Sequence, residues 1–172
     1  MRNESVKTMT MCAIMAALMC ILGPMSIPIG AVPISFTNLV IYLTVYLLGA
    51  KKGCISYLIY MLLGVVGLPV FSGYTGGIAK LAGPTGGYLV GFILLALISG
   101  IVLEKTNRNI VWSFVGMVAG TAIAYLFGTV WFVIQAQCTV GYALSVCVMP
   151  FIPFDLFLSL IHISEPTRPE RI

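Results

Sequence analysis

Charge is nearly absent from most of this chain, and where it occurs it divides the sequence into four uncharged runs, residues 8 to 50, 53 to 79, 81 to 103 and 109 to 154. A helix needs roughly 20 apolar residues to cross a bilayer, so each run is long enough for one crossing and the first and last are long enough for two. The 172 residues include nine Lys or Arg and five Asp or Glu, and 60% of them are apolar. A soluble enzyme, a nucleic-acid-binding domain and a disordered chain each require a polar or strongly charged surface, which 8% charged residues cannot cover. The class that remains is an integral membrane protein, with the lipid bilayer as its solvent and no nucleic-acid partner.

Turn residues refine the division. Gly23, Pro24, Pro28, Gly30 and Pro33 crowd together, so helix must stop near Leu22 and restart after Pro33. The spans then fall near 6–23, 34–50, 53–70, 84–104, 110–135 and 140–163, an all-α six-transmembrane-helix bundle within a single membrane domain, residues 1–163. The last span is broken by Pro150 and Pro153 and carries Asp155, so it forms one kinked helix or two short pieces. With six crossings Arg2, Lys7, Lys51, Lys52, Lys105 and Arg108 share one side and Lys80 stands alone on the other. The positive-inside rule then makes both termini cytoplasmic. Arg2 and Lys7 before an apolar run resemble a signal peptide, but no clean small-residue cleavage site follows, and the first span is expected to be retained.

Few residues offer chemistry. Asp155, in PFIPFD, is the one acid inside an apolar run; at membrane depth it is either a ligand or ion contact or the cap of a helix restarting after the prolines. Gly67, Gly73, Gly76, Gly77, Gly83, Gly86 and Gly87 surround an external connection, where they serve close approach of backbone to a ligand or tight helix packing. Pro84 suits the first turn of a helix whose free N–H groups favour a carboxylate. Lys80 is either solvated or paired with an anionic ligand, and Phe71, Tyr74, Tyr88 and Trp131 read by default as an interfacial aromatic belt. Ala13 and Ala17 put two methyl groups on one helix face, for ordinary packing or for close approach of another helix.

Other motifs are missing. The five cysteines, Cys12, Cys20, Cys54, Cys138 and Cys147, follow no metal spacing and read as small apolar residues. His162 has no partner for hydrolytic or metal chemistry, and neither G-x-G-x-x-G nor G-x-x-x-x-G-K-[ST] occurs. No catalytic residue, cofactor or metal is expected.

Three segments together carry a family resemblance. YMLLGVVGLPVFSGYTGGIAKLAGPTGGYLVGF (60–92), VPISFTNLVIYLTVYLLGAKKG (32–53) and PFIPFD (150–155) resemble BioY, the biotin-specific substrate-binding (S) component of energy-coupling factor (ECF) transporters, and cover most of residues 8–158. The resemblance implies six helices in a bacterial cell membrane and high-affinity capture of external biotin. Uptake would be powered by a separate ECF transmembrane coupling subunit with two cytoplasmic ATPase subunits. It implies ligand contacts from Asp155 and from the Gly-rich connection, giving Phe71, Gly77, Lys80, Gly86, Gly87 and Tyr88 as candidates together with Asn38. It also implies docking of the coupling subunit on Ala13 and Ala17. Two positions depart from the PF-x-P-G-D-x-x-K pattern: Phe154 stands for its Gly and Leu158 for its Lys.

The nearest rival is the same architecture serving another vitamin. A membrane-embedded enzyme would need two converging polar groups at one depth, and Asp155 has no evident partner; an interaction subunit without ligand would leave the external Gly-rich loop without purpose. The segment 164–172, SEPTRPERI, departs in composition from everything before it and is either a solvated cytoplasmic tail or foreign sequence from a truncated reading frame. Residues 154–163 would span only about 15 Å as helix, so the last span is expected to be truncated.

Overall fold

The computed structural model describes residues 2–27, 33–106, 109–149 and 152–153. Arg108, Pro150, Asp155, Leu158, His162 and the segment 164–172 lie outside the described residues. Among the described residues six helices carry the fold: α1 (Arg2–Leu22), α2 (Thr37–Val66), α3 (Ile78–Ala82), α4 (Gly86–Lys105), α5 (Ile110–Ala136) and α6 (Val140–Cys147). Among the described residues four helical stretches are long and apolar enough to cross a membrane, Ser5–Leu22, Thr37–Val66, Gly86–Lys105 and Val111–Ala136. Only 17% of the first is buried within the protein, against 44 to 56% of the others, so α1 packs at the periphery.

The Gly-Pro punctuation after Leu22 acts as its chemistry requires. The Gly23 N–H closes α1 on the Met19 carbonyl at 2.7 Å, and the chain then forms a short antiparallel pair, β1 (Ser26–Ile27) with β2 (Ile34–Ser35), in the register Ser26 to Ser35 and Ile27 to Ile34. Sequence reading had no signal for so short a ribbon. The Ser35 hydroxyl accepts from the Thr37 N–H at 3.0 Å and donates to the Gly23 carbonyl at 3.2 Å, joining the end of α1 to the start of α2.

α2 is two helical arms rather than one rod. Gly49 sits at φ 82°, ψ 178°, a conformation essentially confined to glycine, and the chain reverses there. A Cβ on Gly53 would lie 2.9 Å from the Val45 side chain, although eight residues of straight helix would separate the two by about 12 Å. The reversal frees the Ala50 N–H, which donates to Glu104 Oε1 at 2.8 Å, so the carboxylate at the end of α4 caps the second arm. That arm ends at Val66 rather than near 70, because Gly67 takes φ 117° and its N–H returns to the Gly64 carbonyl, a left-handed stop. The connection that follows contains the five-residue helix α3, which glycine-rich composition had concealed.

Met19, Ile41, Tyr42, Tyr57, Tyr60, Phe71 and Leu95 form the centre of the core. Four buried Ser and Thr hydroxyls are satisfied within their own helices: Thr44 donates to the Val40 carbonyl, Ser56 to Lys52, Ser99 to Leu95 and Thr121 to Met117. In hydrocarbon no water could do this. Tyr42 and Thr121 also share a hydrogen bond between α2 and α5. Cys12 and Cys54 are buried and Cys20 and Cys138 half-buried, all as free thiols.

Gly49→Ala should lower the melting temperature in detergent, since its Cβ would meet Glu104 Oε1 at 2.6 Å in a backbone conformation costing an L-residue about 1–3 kcal/mol. Gly141→Ala, which meets nothing within 4 Å, should not lower it. Equal melting of the two variants by scanning fluorimetry would mean that α2 does not depend on the turn at Gly49.

Candidate functional site

α1 relates the two ends of the bundle. At its midpoint Cys12 Sγ approaches the Lys52 carbonyl at 3.8 Å, beside Lys51, Glu104 and Lys105; at its finish Gly23 packs against the Tyr60 hydroxyl and the Val70 carbonyl. The basic turn therefore lies at one end of the bundle and the Gly-rich connection at the other.

At that second end is a narrow cavity with a volume of about 50 Å³. The hairpin turn of α2 brings the first residues of its first arm, Thr37 and Asn38, to the same wall as Tyr60 from its second arm. Phe71 and Ser72 enter from the connection, Lys80 from α3, Thr85, Tyr88, Leu89 and Phe92 from the start of α4, and Tyr125 from α5. Aromatic rings dominate, with hydroxyl and amide groups between them, and Lys80 is the one charged group among the described lining residues.

The walls are held by backbone acceptors. The Tyr60 hydroxyl donates to the Val70 carbonyl at 3.0 Å and the Tyr57 hydroxyl to the Leu89 carbonyl at 2.8 Å. The Phe71 ring stands edge-on to Tyr60 at a centroid distance of 5.7 Å and fills a notch at Gly64, where any Cβ would overlap it. The Gly77 N–H donates to the Gly64 carbonyl at 2.7 Å and the Gly73 N–H to the Pro24 carbonyl at 3.1 Å, joining the two outer connections. Loop backbone, ring stacking and helix ends thus form one rigid wall.

Of the candidates named from sequence, Asn38, Phe71, Lys80 and Tyr88 converge on this cavity. Gly77, Gly86 and Gly87 are not among its lining residues. Gly77 precedes α3 at φ 91°; Gly86 abuts the Leu81 carbonyl and Gly87 the Trp131 side chain, each too closely to admit a Cβ. Asp155 lies outside the described residues. Ala13 and Ala17 are exposed on α1, next to the buried face formed by Cys12, Ala16 and Met19.

The default aromatic-belt reading requires correction. Phe71 is fully buried and Tyr88 is 5% exposed, whereas Tyr74 is 68% exposed. Thr37, Tyr60, Phe92 and Tyr125 had not been singled out from sequence. In a chain apolar on every helix face, periodicity does not distinguish a cavity wall from the core.

A second, larger hollow between α5 and α6 has a volume of about 720 Å³, with a lining of Val118, Leu126, Val130, Leu144 and similar residues. Among the described residues it presents no charged group and only the hydroxyls of Thr121, Tyr125 and Thr129. A ligand with several polar groups would find few partners there.

The chain resembles known proteins along nearly all its length. A family model described as the BioY family matches residues 1–164. Biotin transporter BioY2 of Lactococcus lactis subsp. cremoris is 32% identical over 161 residues, 94% of this chain and 88% of the relative. Biotin transporter BioY of Thermotoga maritima is 41% identical over 144 residues, 83% of each chain. Among solved structures, the S-component for biotin from an ECF-type ABC transporter superposes with a TM-score of 0.88 at 32% identity, covering 95% of this chain and 90% of that one. With its apolar helices and a family match over residues 1–164, this multi-pass membrane protein belongs to the BioY family.

Proposed function

We infer that this chain is a biotin-binding membrane subunit that mediates biotin uptake as the S component of an ECF transporter. The observation that carries this reading is the cavity at the weakly charged end of the bundle, with aromatic walls and Lys80 on its lining. Biotin combines an apolar thiophane ring and valeryl chain with a carboxylate and a ureido ring bearing two N–H donors and a carbonyl. Phe71, Tyr88 and Phe92 suit the apolar parts, Lys80 suits the carboxylate, and the hydroxyl and amide groups of Thr37 and Asn38 suit the ureido ring. Asp155 is assigned the ureido N–H groups on the strength of its match to the family motif.

Topology follows the same reading. α1, the two arms of α2, α4 and α5 make five crossings, and the apolar run 140–163 is assigned the sixth. Both termini face the cytoplasm with Lys51, Lys52 and Lys105, and the cavity faces outward. This orientation lets the protein collect biotin from outside. The work of transport falls to a coupling subunit and two ATPase subunits. The exposed Ala13 and Ala17 supply a methyl-lined strip on peripheral α1 where a coupling helix can approach closely.

Asp155→Asn exchanges a charged acceptor for an amide that leaves one group poorly matched. Hydrogen bonds to charged groups contribute roughly 1.5–3 kcal/mol, so equilibrium binding of biotin should weaken about ten- to hundredfold. Unchanged affinity in a folded variant would reduce Asp155 to a helix cap. For the docking face, Ala13→Trp or Ala17→Trp should abolish uptake while the purified subunit retains its affinity for biotin, because the indole blocks helix approach far from the cavity. Normal uptake by both variants would remove this strip from the coupling interface.

A further inference from the structure

Lys80 stands on α3, which is held lightly: none of its five residues is fully buried, Leu81 packs partly buried against the core, and no side chain caps its start, where the Gly77 N–H reaches the Gly64 carbonyl. A further anchorage is at the other end. The last carbonyls of a helix have no partner within the helix, and here two of them are met by side chains of α5. Trp131 Nε1 donates to the Gly83 carbonyl at 3.0 Å, and Gln135 Nε2 to the Ala82 carbonyl at 2.8 Å. Trp131 and Gln135 are four residues apart and so share one face of α5. The half-buried Trp131 side chain is itself seated in the notch at Gly87, while Gly86 allows α4 to begin against the Leu81 carbonyl. The glycines of the GPTGGY segment thus make room for a clamp on α3.

We propose that Trp131 and Gln135 are positioning residues that hold the Lys80 ammonium over the cavity, and so set how strongly the protein prefers a ligand with a free carboxylate. This rests on the reading of the cavity as the biotin site with Lys80 facing the acid tail. Neither α5 residue lines the cavity; both act through the carbonyls that end α3. When the clamp is lost, α3 keeps its own hydrogen bonds, among them Lys80 N–H to the Gly77 carbonyl at 3.1 Å, but its tether to α5 is gone. The ammonium then pays the entropy of being ordered each time a ligand binds.

The test compares the affinities of biotin and of its uncharged primary amide for the purified subunit. Trp131→Phe combined with Gln135→Leu removes both donors and leaves a ring at Gly87. It should weaken biotin about tenfold and the amide little, lowering the preference for the acid. Lys80→Met should lower that preference at least as far, and adding the two α5 changes to Lys80→Met should not lower it further. If Lys80→Met collapses the preference while the α5 variant keeps it, the clamp does not position Lys80 and the proposal fails, with the cavity reading intact. If Lys80→Met leaves the preference unchanged, the assignment of Lys80 fails and the proposal with it. A loss equal for acid and amide in the α5 variant overturns the proposal in favour of general destabilisation. Gln135 is exposed, so Gln135→Leu alone gives the same readout, with a smaller expected shift, should the double variant not fold.

Discussion

The chain reversal at Gly49 is the constraint on which the rest of the structure depends. A buried backbone donor left unpaired costs about 1–3 kcal/mol, so a helix can be broken at buried residues such as Gly49 and Ala50 only where something else meets the released groups. Gly49 permits the break, Glu104 accepts from the freed Ala50 N–H, and the basic pair Lys51 and Lys52 sits in the turn itself. The consequence appears at the far end of both arms, where Asn38 and Tyr60 share a cavity wall although they are far apart along the chain. An unbroken α2 of 30 residues would be about 45 Å long and would put those two residues at different depths.

The second device is the use of carbonyls at loop and helix ends as fixed anchoring points. Tyr60, Tyr57, Trp131 and Gln135 all donate to backbone oxygens in or beside the Gly-rich connection. A loop rich in glycine has little side-chain surface to bury and would be held weakly by packing alone. Side-chain donors from neighbouring helices supply the order it lacks, and the Phe71 ring, seated against Gly64, adds the one large buried contact. A cavity built this way can be rigid where the ligand sits while its surroundings remain short connections.

Much of this organisation was legible in the sequence, and the exceptions have physical causes. The positions of Lys51, Lys80 and Lys105 marked where helices turn, because charge is expelled from the apolar interior, and Gly23 with Pro24 marked the end of α1. Asn38, Phe71, Lys80 and Tyr88 could be named as candidates because the segments containing them resemble a family. Gly86 and Gly87 could not be separated from ligand-contacting glycines, since close approach of a carbonyl, of an indole or of a ligand imposes the same demand for a missing Cβ. Trp131 read as an interfacial anchor because its partner, the Gly83 carbonyl, is 48 residues away and leaves no trace in local pattern. The β1–β2 ribbon was invisible for want of length, and Asp155 lies where the structure does not describe the chain.

The central claim is that biotin occupies the cavity between the arms of α2 and the Gly-rich connection. It is tested most directly by protection of a thiol at the cavity wall. Ser72 lines the cavity and is half-buried, so Ser72→Cys in a cysteine-free background places a near-isosteric probe there. Saturating biotin should slow its modification by a small polar thiol reagent, while thiamine and riboflavin should leave the rate unchanged. A rate unaffected by biotin, in a protein shown to bind it, would put the ligand elsewhere and contradict the assignment of this cavity.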